Sequence, residues 1–228
     1  MLTDNNEQAS ANCVILSRHD YGDDSLIFNA FSADYGKLDF IKKGAKKVNK
    51  KRHSSTIDLF NVYEVSFKLR DEGLIANASF ELIDTFQGVA KNYRAFEFCS
   101  QIAKFISLNT DIYIPLPGTF NCFTNILNYL QNVIETQSLP IEIIENQLII
   151  ALNATFKLTF LYENGLLPDY LDTNEEKSDK KYRQLLEVIQ AGENGFIKFP
   201  KIKTSGWKQL NSWSENLCNY NNLKSVTA

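Results

Sequence analysis

Residues 26–41, LIFNAFSADYGKLDFI, carry the pattern of a β-hairpin. Residues 26–31 alternate as a strand covered on both faces would, and residues 37–41 can form its partner strand. The residues between them favour a turn, in which Gly36 is expected to supply a positive φ. This hairpin predicts that the first part of the chain is a β-sheet.

Further strands are predicted on both sides of the hairpin. A short apolar run precedes it at residues 13–16, and strand patterns follow at residues 57–67, 74–77 and 79–84. About five strands in roughly 75 residues suit a small closed barrel such as the OB-fold, which often binds nucleic acid. All five prolines follow residue 114, so none interrupts this region.

Helical spacing of apolar residues begins beyond residue 85. The predicted helices cover residues 93–108, 120–134, 141–163, 182–191 and 205–223. The middle of the third helix is apolar on nearly every face, which is typical of a central, buried helix.

These patterns together predict an α+β protein of two domains. A flexible N-terminus is expected at residues 1–10, an N-terminal OB-fold β-barrel at residues 11–88, and an all-α helical domain at residues 89–228.

Positive charge is concentrated in residues 42–52, called the basic segment below. It holds seven cations and no anion, and because the chain's formal net charge is −3, the other 217 residues carry −10. A run of like charges can be a solvated loop that merely aids solubility. Its density on an acidic protein favours a contact with a polyanion.

The composition argues against catalytic and metal chemistry. The only histidines are His19 and His53, and the four cysteines lie far apart without a CxxC pair. Scattered thiols are typical of a reduced, cytosolic protein. The N-terminus lacks a secretion signal, and no apolar run approaches the length of a membrane helix. We therefore expect no enzyme activity, no cofactor, no metal, no membrane partner and a cytoplasmic location.

Aromatic residues near the basic segment admit two interpretations. Tyr21, Phe40 and Tyr63 could stack on nucleic-acid bases, but packing in the core is the commoner role for each. Trp207 and Trp213 lie on a predicted helix, where core packing is favoured over base stacking.

Several motifs resemble the RecO family of bacterial recombination mediators. Residues 18–24, RHDYGDD, resemble the family's R-x-Y-G-E-x-D turn with one residue inserted after the arginine. Residues 36–37 and 43–47, GK and KGAKK, resemble its G-K…K-G-A-R-[RK] run. Similar pieces follow at residues 59–65 and 80–86, so the resemblance covers about residues 11–90.

The chain departs from the family in two places. Many members carry a four-cysteine zinc module after a Gly-x-x-Pro segment, whereas here residues 165–168 are followed by no cysteine up to residue 181. The chain thus resembles a zinc-free member. The sequence after Trp207 is also poorer in arginine and lysine than in many relatives.

The resemblance implies a function in DNA repair and recombination. It implies binding of single- and double-stranded DNA, annealing of complementary strands, and action with RecR on DNA coated by single-strand-binding protein, so that RecA can load at the bacterial nucleoid. Lysines and arginines that contact phosphates would give affinity without sequence preference. The predicted phosphate contacts are Arg18, Lys37, Lys42, Lys43, Lys46, Lys47, Lys50 and Arg52.

The family also binds the acidic C-terminal tail of single-strand-binding protein through its helical domain. Such a tail needs an apolar groove flanked by cations. Lys91, Arg94 and Lys104, beside the apolar stripe of the first long helix, are the candidates, with ordinary surface charge as the alternative.

Two other functions stay open at this stage. The chain could be a protein–protein scaffold whose basic segment docks an acidic partner, or an RNA-binding OB module. Negligible DNA affinity at about 50 mM salt, with RecR or tail binding retained, would favour the scaffold. Competition between RNA and DNA oligonucleotides would identify the RNA-binding module.

Overall fold

The computed structural model describes residues 8–45, 57–70, 73–137, 147–168 and 175–224, with only the backbone for residues 175–180. Contacts between residues divide the chain into two units. The first comprises residues 1–86 and 106–117, and the second comprises residues 87–105 and 118–228. The boundary predicted between the barrel domain and the helical domain, after residue 88, stays a prediction.

The first unit contains a six-stranded sheet. Its strands are β1 (Gln8–Tyr21), β2 (Ser25–Ser32), β3 (Gly36–Lys42), β4 (Val62–Lys68), β5 (Ile75–Ala76) and β6 (Ser79–Asp84). Their order in the sheet is β5-β3-β2-β1-β4-β6.

The last two strands close the sheet into a barrel. β5 pairs in parallel with β3, with Phe40 opposite Ile75, and β6 pairs antiparallel with β4, with Val65 opposite Phe80. Only two residues separate β5 from β6, and the first of them, Asn77, has a φ of 60°. One bent run of chain therefore joins both edges of the sheet, which is the closure of an OB-fold. The predicted α+β fold with an N-terminal OB-fold barrel is confirmed.

Small and large side chains interlock inside the barrel. Three inward residues of β1, Ala9, Ala11 and Cys13, are small, and they leave room for large aromatic residues on the other strands. The Phe40 ring meets those of Phe67 and Phe80 edge-on at centroid distances of 5.5 and 5.4 Å. Such edge-to-face pairs stabilise the core beyond the burial of their area.

Two strand boundaries differ from the prediction. Residues 8–10, expected in the flexible N-terminus, begin β1 and pair with residues 66–68 of β4, because Ala9 fills an inward position. Residues 1–7 lie outside the described residues. The strand predicted at residues 57–67 begins only at Val62, because Phe60 has a φ of 65° that interrupts extended backbone.

The helices within the described residues are α1 (Gln87–Lys91), α2 (Tyr93–Asn109), α3 (Pro117–Glu135), α4 (Ile149–Glu163), α5 (Glu175–Glu193) and α6 (Thr204–Tyr220). Pro117 is the first residue of α3, where its missing N–H costs no hydrogen bond. α5 is longer than predicted. Residues 141–146 of the predicted third helix lie outside the described residues.

α4 is the central helix of the second unit, as its apolar composition predicts. Nearly every side chain from Ala151 to Leu161 is buried. On one side, Trp207 of α6 is buried against the α4–α5 cluster, which confirms the core interpretation of this tryptophan. Within the described residues, no helix has the length and apolarity that crossing a membrane requires.

Candidate nucleic-acid interface

The basic segment leaves and re-enters the described structure at one end of the barrel. Lys42, its first residue, pairs with Leu26 near the β1–β2 turn. On the far side of the segment, Ile57 and Asp58 lie against Arg18 of β1. The described residues on both sides of residues 46–56 therefore lie at the same end of the barrel. Its cations Lys46, Lys47, Lys50 and Arg52 lie outside the described residues.

Arg18 owes its position to a β-bulge. The register of β1 with β2 shifts between Ile15 and Ser17, which brings Arg18 opposite the inward-facing Phe28 at the barrel mouth. Its Nη1 donates hydrogen bonds to Asp58 Oδ1 at 3.0 Å and to the Ile57 carbonyl at 3.4 Å. Arg18 thus holds residues 57–58 against β1, while its side chain stays 40% exposed.

Lys42 and Lys43 continue the cationic surface from Arg18. Lys42 Nζ lies 5.7 Å from the centroid of the Phe80 ring, a distance that permits a cation–π interaction. Lys43 follows β3 directly and is exposed. Both lysines are therefore placed where a phosphate could reach them.

Lys37 lies apart from the other predicted phosphate contacts. It is at the opposite end of β3 from Lys42, roughly 17 Å away along the strand. Its Nζ donates to the carbonyl of Ser107, in the same contact unit, at 3.0 Å. Ser107 is in the last turn of α2, where carbonyls lack helical partners and attract cations. The geometry therefore gives Lys37 a structural role rather than the predicted phosphate contact.

The described part of the barrel is acidic. Residues 8–45, 57–70 and 73–86 hold nine acidic and six basic side chains. Three of the acids, Asp20, Asp23 and Asp24, surround the β1–β2 turn. The attraction of a polyanion to this unit must therefore come from the basic segment.

The three aromatic residues considered for base stacking differ in how deeply they are buried. Phe40 and Tyr63 are 0% and 1% exposed, and Tyr63 Oη accepts a hydrogen bond from the Asp58 N–H at 3.1 Å. The core interpretation is confirmed for both. Tyr21 is 54% exposed and is the member of the three that solvent reaches.

The sheet also presents an outer surface that the sequence analysis missed. Beyond the bulge, His19, Ile27 and Ile41 lie side by side on β1, β2 and β3, and by alternation they face outward with Tyr21. His19 and Tyr21 are exposed, and the two isoleucines are half-buried. We call these four residues the outer platform. The sequence pattern could not indicate the outer platform, because the bulge reverses the inward and outward positions of β1 after residue 15.

A polar row borders the outer platform. His19 Nε2 lies 3.1 Å from Ser17 Oγ, Ser17 donates to Asn29 Oδ1, and Asn29 Nδ2 donates to Asp39 Oδ1 at 2.6 Å. This chain of hydrogen bonds orients His19 and holds the Asp39 carboxylate against Asn29.

The predicted tail-binding residues lack the groove that they require. Lys91 is exposed at the end of α1, and Arg94 and Lys104 are exposed on α2. Arg94 pairs with Glu97 at 3.2 Å. The apolar stripe beside these cations is buried, with Ala95, Phe98, Cys99, Ile102, Ala103, Phe105 and Ile106 each at most 4% exposed. The stripe is core and cannot receive a tail.

An apolar cavity whose lining residues have lysines as neighbours in the sequence lies elsewhere in the second unit. Its volume is about 220 Å³, and it is lined mainly by Leu148, Ile150, Phe199, Pro200, Ile202 and Trp207. Lys198, Lys201 and Lys203 alternate with the lining residues of the connecting loop and are exposed. We call this the lysine-rimmed cavity. Residues 194–214 contain four lysines and no acid, a signal that was available in the sequence.

The cysteines are buried structural thiols. Cys13, Cys99, Cys122 and Cys218 are all free. Burial raises the pKa of each thiol, to about 11 for Cys218, so that the unreactive protonated form persists at neutral pH. In the part of the chain that the structure describes, no group of three His, Cys, Asp or Glu side chains could hold a metal ion.

Comparison with known proteins places the barrel in a family. Residues 7–86 match the family model described as Recombination protein O N terminal. The "DNA repair protein RecO" of Thermodesulfovibrio yellowstonii is 25% identical to this chain over 126 residues, which are 55% of this chain and 50% of the relative. The match thus spans about half the length of the relative. The resemblance predicted from the motifs is confirmed: residues 7–86 of this chain are similar to the N-terminal domain of the RecO family.

Proposed function

We propose that this protein is a DNA repair and recombination mediator of the bacterial cytoplasm. It binds DNA without sequence preference through the basic segment and anneals complementary strands. The observation that carries the proposal is the concentration of seven cations in this segment, whose described neighbours Lys42 and Asp58 lie at one end of an otherwise acidic OB-fold barrel similar to the RecO N-terminal domain. The name of the relative from Thermodesulfovibrio yellowstonii agrees with a role in repair.

Phosphate contacts explain how such a protein can anneal strands. Cations that neutralise phosphates release condensed counterions, which gives affinity independent of sequence. Two bound strands repel each other less, while their bases stay free to pair. No bond is made or broken, so the activity needs neither a catalytic residue nor a cofactor.

Reversal of charge in the basic segment tests DNA binding. We expect Lys43→Glu/Lys46→Glu/Lys47→Glu to abolish binding of a labelled oligonucleotide, measured by fluorescence anisotropy, without changing the circular dichroism spectrum. For the wild type, the plot of log affinity against log salt should have a slope no steeper than about −5, since seven cations act on a single strand at roughly 0.7 each. A triple variant that binds like the wild type would refute the proposal.

A matched control separates local charge from net charge. Lys198→Glu/Lys201→Glu/Lys203→Glu changes the charge equally, at exposed residues of the second unit. We expect this variant to keep most of its DNA affinity. Negligible affinity of the wild type at about 50 mM salt would favour the scaffold function instead, and preference for RNA in competition would favour the RNA-binding function.

The mediator function also requires partners. We propose that the protein acts with RecR on DNA coated by single-strand-binding protein, so that RecA can load. We further propose that the acidic tail of single-strand-binding protein docks in the lysine-rimmed cavity and not on α2. The cavity combines an apolar floor with three exposed lysines, which matches an acidic peptide that carries apolar residues.

Tryptophan fluorescence tests the position of the tail. Trp207 lines the lysine-rimmed cavity, and Trp213 lines a second cavity beside Leu210 and Leu185. In Trp213→Phe, Trp207 is the remaining fluorophore, and we expect its emission to change on addition of a tail peptide. Lys201→Glu/Lys203→Glu should weaken this response at least tenfold, whereas Arg94→Glu/Lys104→Glu should not. A response weakened by Arg94→Glu/Lys104→Glu but not by Lys201→Glu/Lys203→Glu would place the tail-binding site on α2 instead.

A further inference from the structure

Tyr21 stands out because a large aromatic side chain is exposed beside a basic segment. The barrel buries its other aromatic residues in the core or packs them against it, including Phe28, Phe40, Tyr63 and Phe67. Tyr21 instead lies at the end of β1, one residue before the turn, and is 54% exposed. No packing requirement of the barrel accounts for it.

Three neighbours make the surroundings of Tyr21 a continuous surface. His19 precedes it by two residues, so both side chains rise from the same face of β1, roughly 7 Å apart along the strand. Ile27 and Ile41 extend this face across β2 and β3. Lys43 follows Ile41 by two residues and is exposed, so the surface ends at the first exposed cation of the basic segment.

We propose that the outer platform binds the unstacked bases of single-stranded nucleic acid, with Tyr21 as the main stacking residue. This inference rests on the proposed function and identifies the form of substrate that the barrel prefers. An exposed aromatic ring can stack on a base whatever the sequence. The half-buried isoleucines supply an apolar floor, and Lys43 can reach the phosphates that follow.

The charges around the turn favour base contacts over phosphate contacts. Asp23 and Asp24 lie in the turn itself, and Asp20 lies on the other face of β1 from His19 and Tyr21. Asp39, two residues before Ile41 on β3, accepts a hydrogen bond from Asn29. Negative charge here repels phosphates. A single-stranded nucleic acid that crosses Tyr21 therefore contacts the outer platform with its bases, while its phosphate backbone turns toward Lys43. A duplex keeps its bases stacked inside and cannot use the outer platform.

The test compares single strands with duplexes in Tyr21→Ala. Anisotropy titrations use labelled oligothymidine and oligouridine of roughly 20 nucleotides and a duplex of the same length. We expect Tyr21→Ala to weaken oligothymidine binding about tenfold and to change duplex binding less than twofold. Tyr21→Phe, which keeps the ring, should bind both like the wild type. A similar loss of oligouridine affinity in Tyr21→Ala would extend the stacking role to RNA. Whichever of the two single strands the wild type binds more tightly is then the preferred nucleic acid.

Tyr220→Ala removes another exposed tyrosine, on α6, and serves as the matched control without an expected effect. Unchanged oligothymidine affinity in Tyr21→Ala, or an equal loss for strand and duplex, would overturn the role of the outer platform while leaving the proposed function intact. Failure of the wild type to bind any of the three ligands would overturn both.

Discussion

At the scale of single residues, Gly36 shows how much of the turn the sequence determines. Its φ of 61° confirms the left-handed conformation expected from the hairpin pattern. The sequence does not reveal its second constraint, because the neighbour comes from residue 114. A Cβ on Gly36 would lie 1.9 Å from the Ile114 carbonyl oxygen, closer than any contact allows. Local pattern thus predicts the φ, and only the folded chain shows the close approach.

Gly36→Ala tests this close approach, with Gly22→Ala as the control. Gly22 has a similar φ of 58° in the β1–β2 turn, but no atom lies within 4 Å of the added Cβ. We expect Gly22→Ala to lower the free energy of unfolding by about 1–2 kcal/mol, from the backbone alone. Gly36→Ala should cost at least about 2 kcal/mol more, because backbone atoms must move. Equal losses in urea denaturation would contradict this account.

At the scale of elements, α4 was predictable and its polar contacts were not. Its apolar composition predicts a buried helix, and the structure confirms it. The same composition hides Lys157, which is 9% exposed and pairs with Glu215 of α6. One turn away, Asn153 donates to Asn211 Oδ1 at 2.8 Å. These two contacts set the register of α4 against α6, and no pattern along a single helix can indicate them.

Removing one partner of the Lys157–Glu215 pair should be costly. In Glu215→Ala, the nearly buried ammonium of Lys157 loses its counter-charge, and we expect a loss of about 2 kcal/mol in unfolding free energy. Lys157→Met/Glu215→Ala removes both charges and should recover most of that loss. Chemical denaturation of the three proteins checks this. A double variant less stable than Glu215→Ala would show that the pair stabilises the fold beyond satisfying its own charges.

At the scale of the whole molecule, the sequence predicts the kinds of structure better than their positions. Strand and helix patterns predict an OB-fold barrel and a helical region, both of which the structure contains. The β-bulge after Ile15 moves Arg18 to the barrel mouth and Tyr21 to the outer platform, and strand alternation alone could not foresee this. Lys37 likewise joins the predicted cations in sequence but lies at the other end of β3.

Charge distribution is the whole-molecule property that carries the function. The basic segment supplies seven cations to a chain whose remainder is acidic, so the proposed attraction of DNA depends on this one segment of the sequence. If this account is correct, the position of the charge and not its total determines the activity.

The most direct test is annealing of complementary oligonucleotides coated with single-strand-binding protein. Three proteins are compared in the same salt: the wild type, Lys43→Glu/Lys46→Glu/Lys47→Glu, and Lys43→Gln/Lys46→Gln/Lys47→Gln as the milder change. The account predicts rapid annealing by the wild type, partial activity of the glutamine variant and none above background for the glutamate variant. Equal annealing by all three proteins would contradict the central role of the basic segment, and no annealing by the wild type would contradict the mediator function itself.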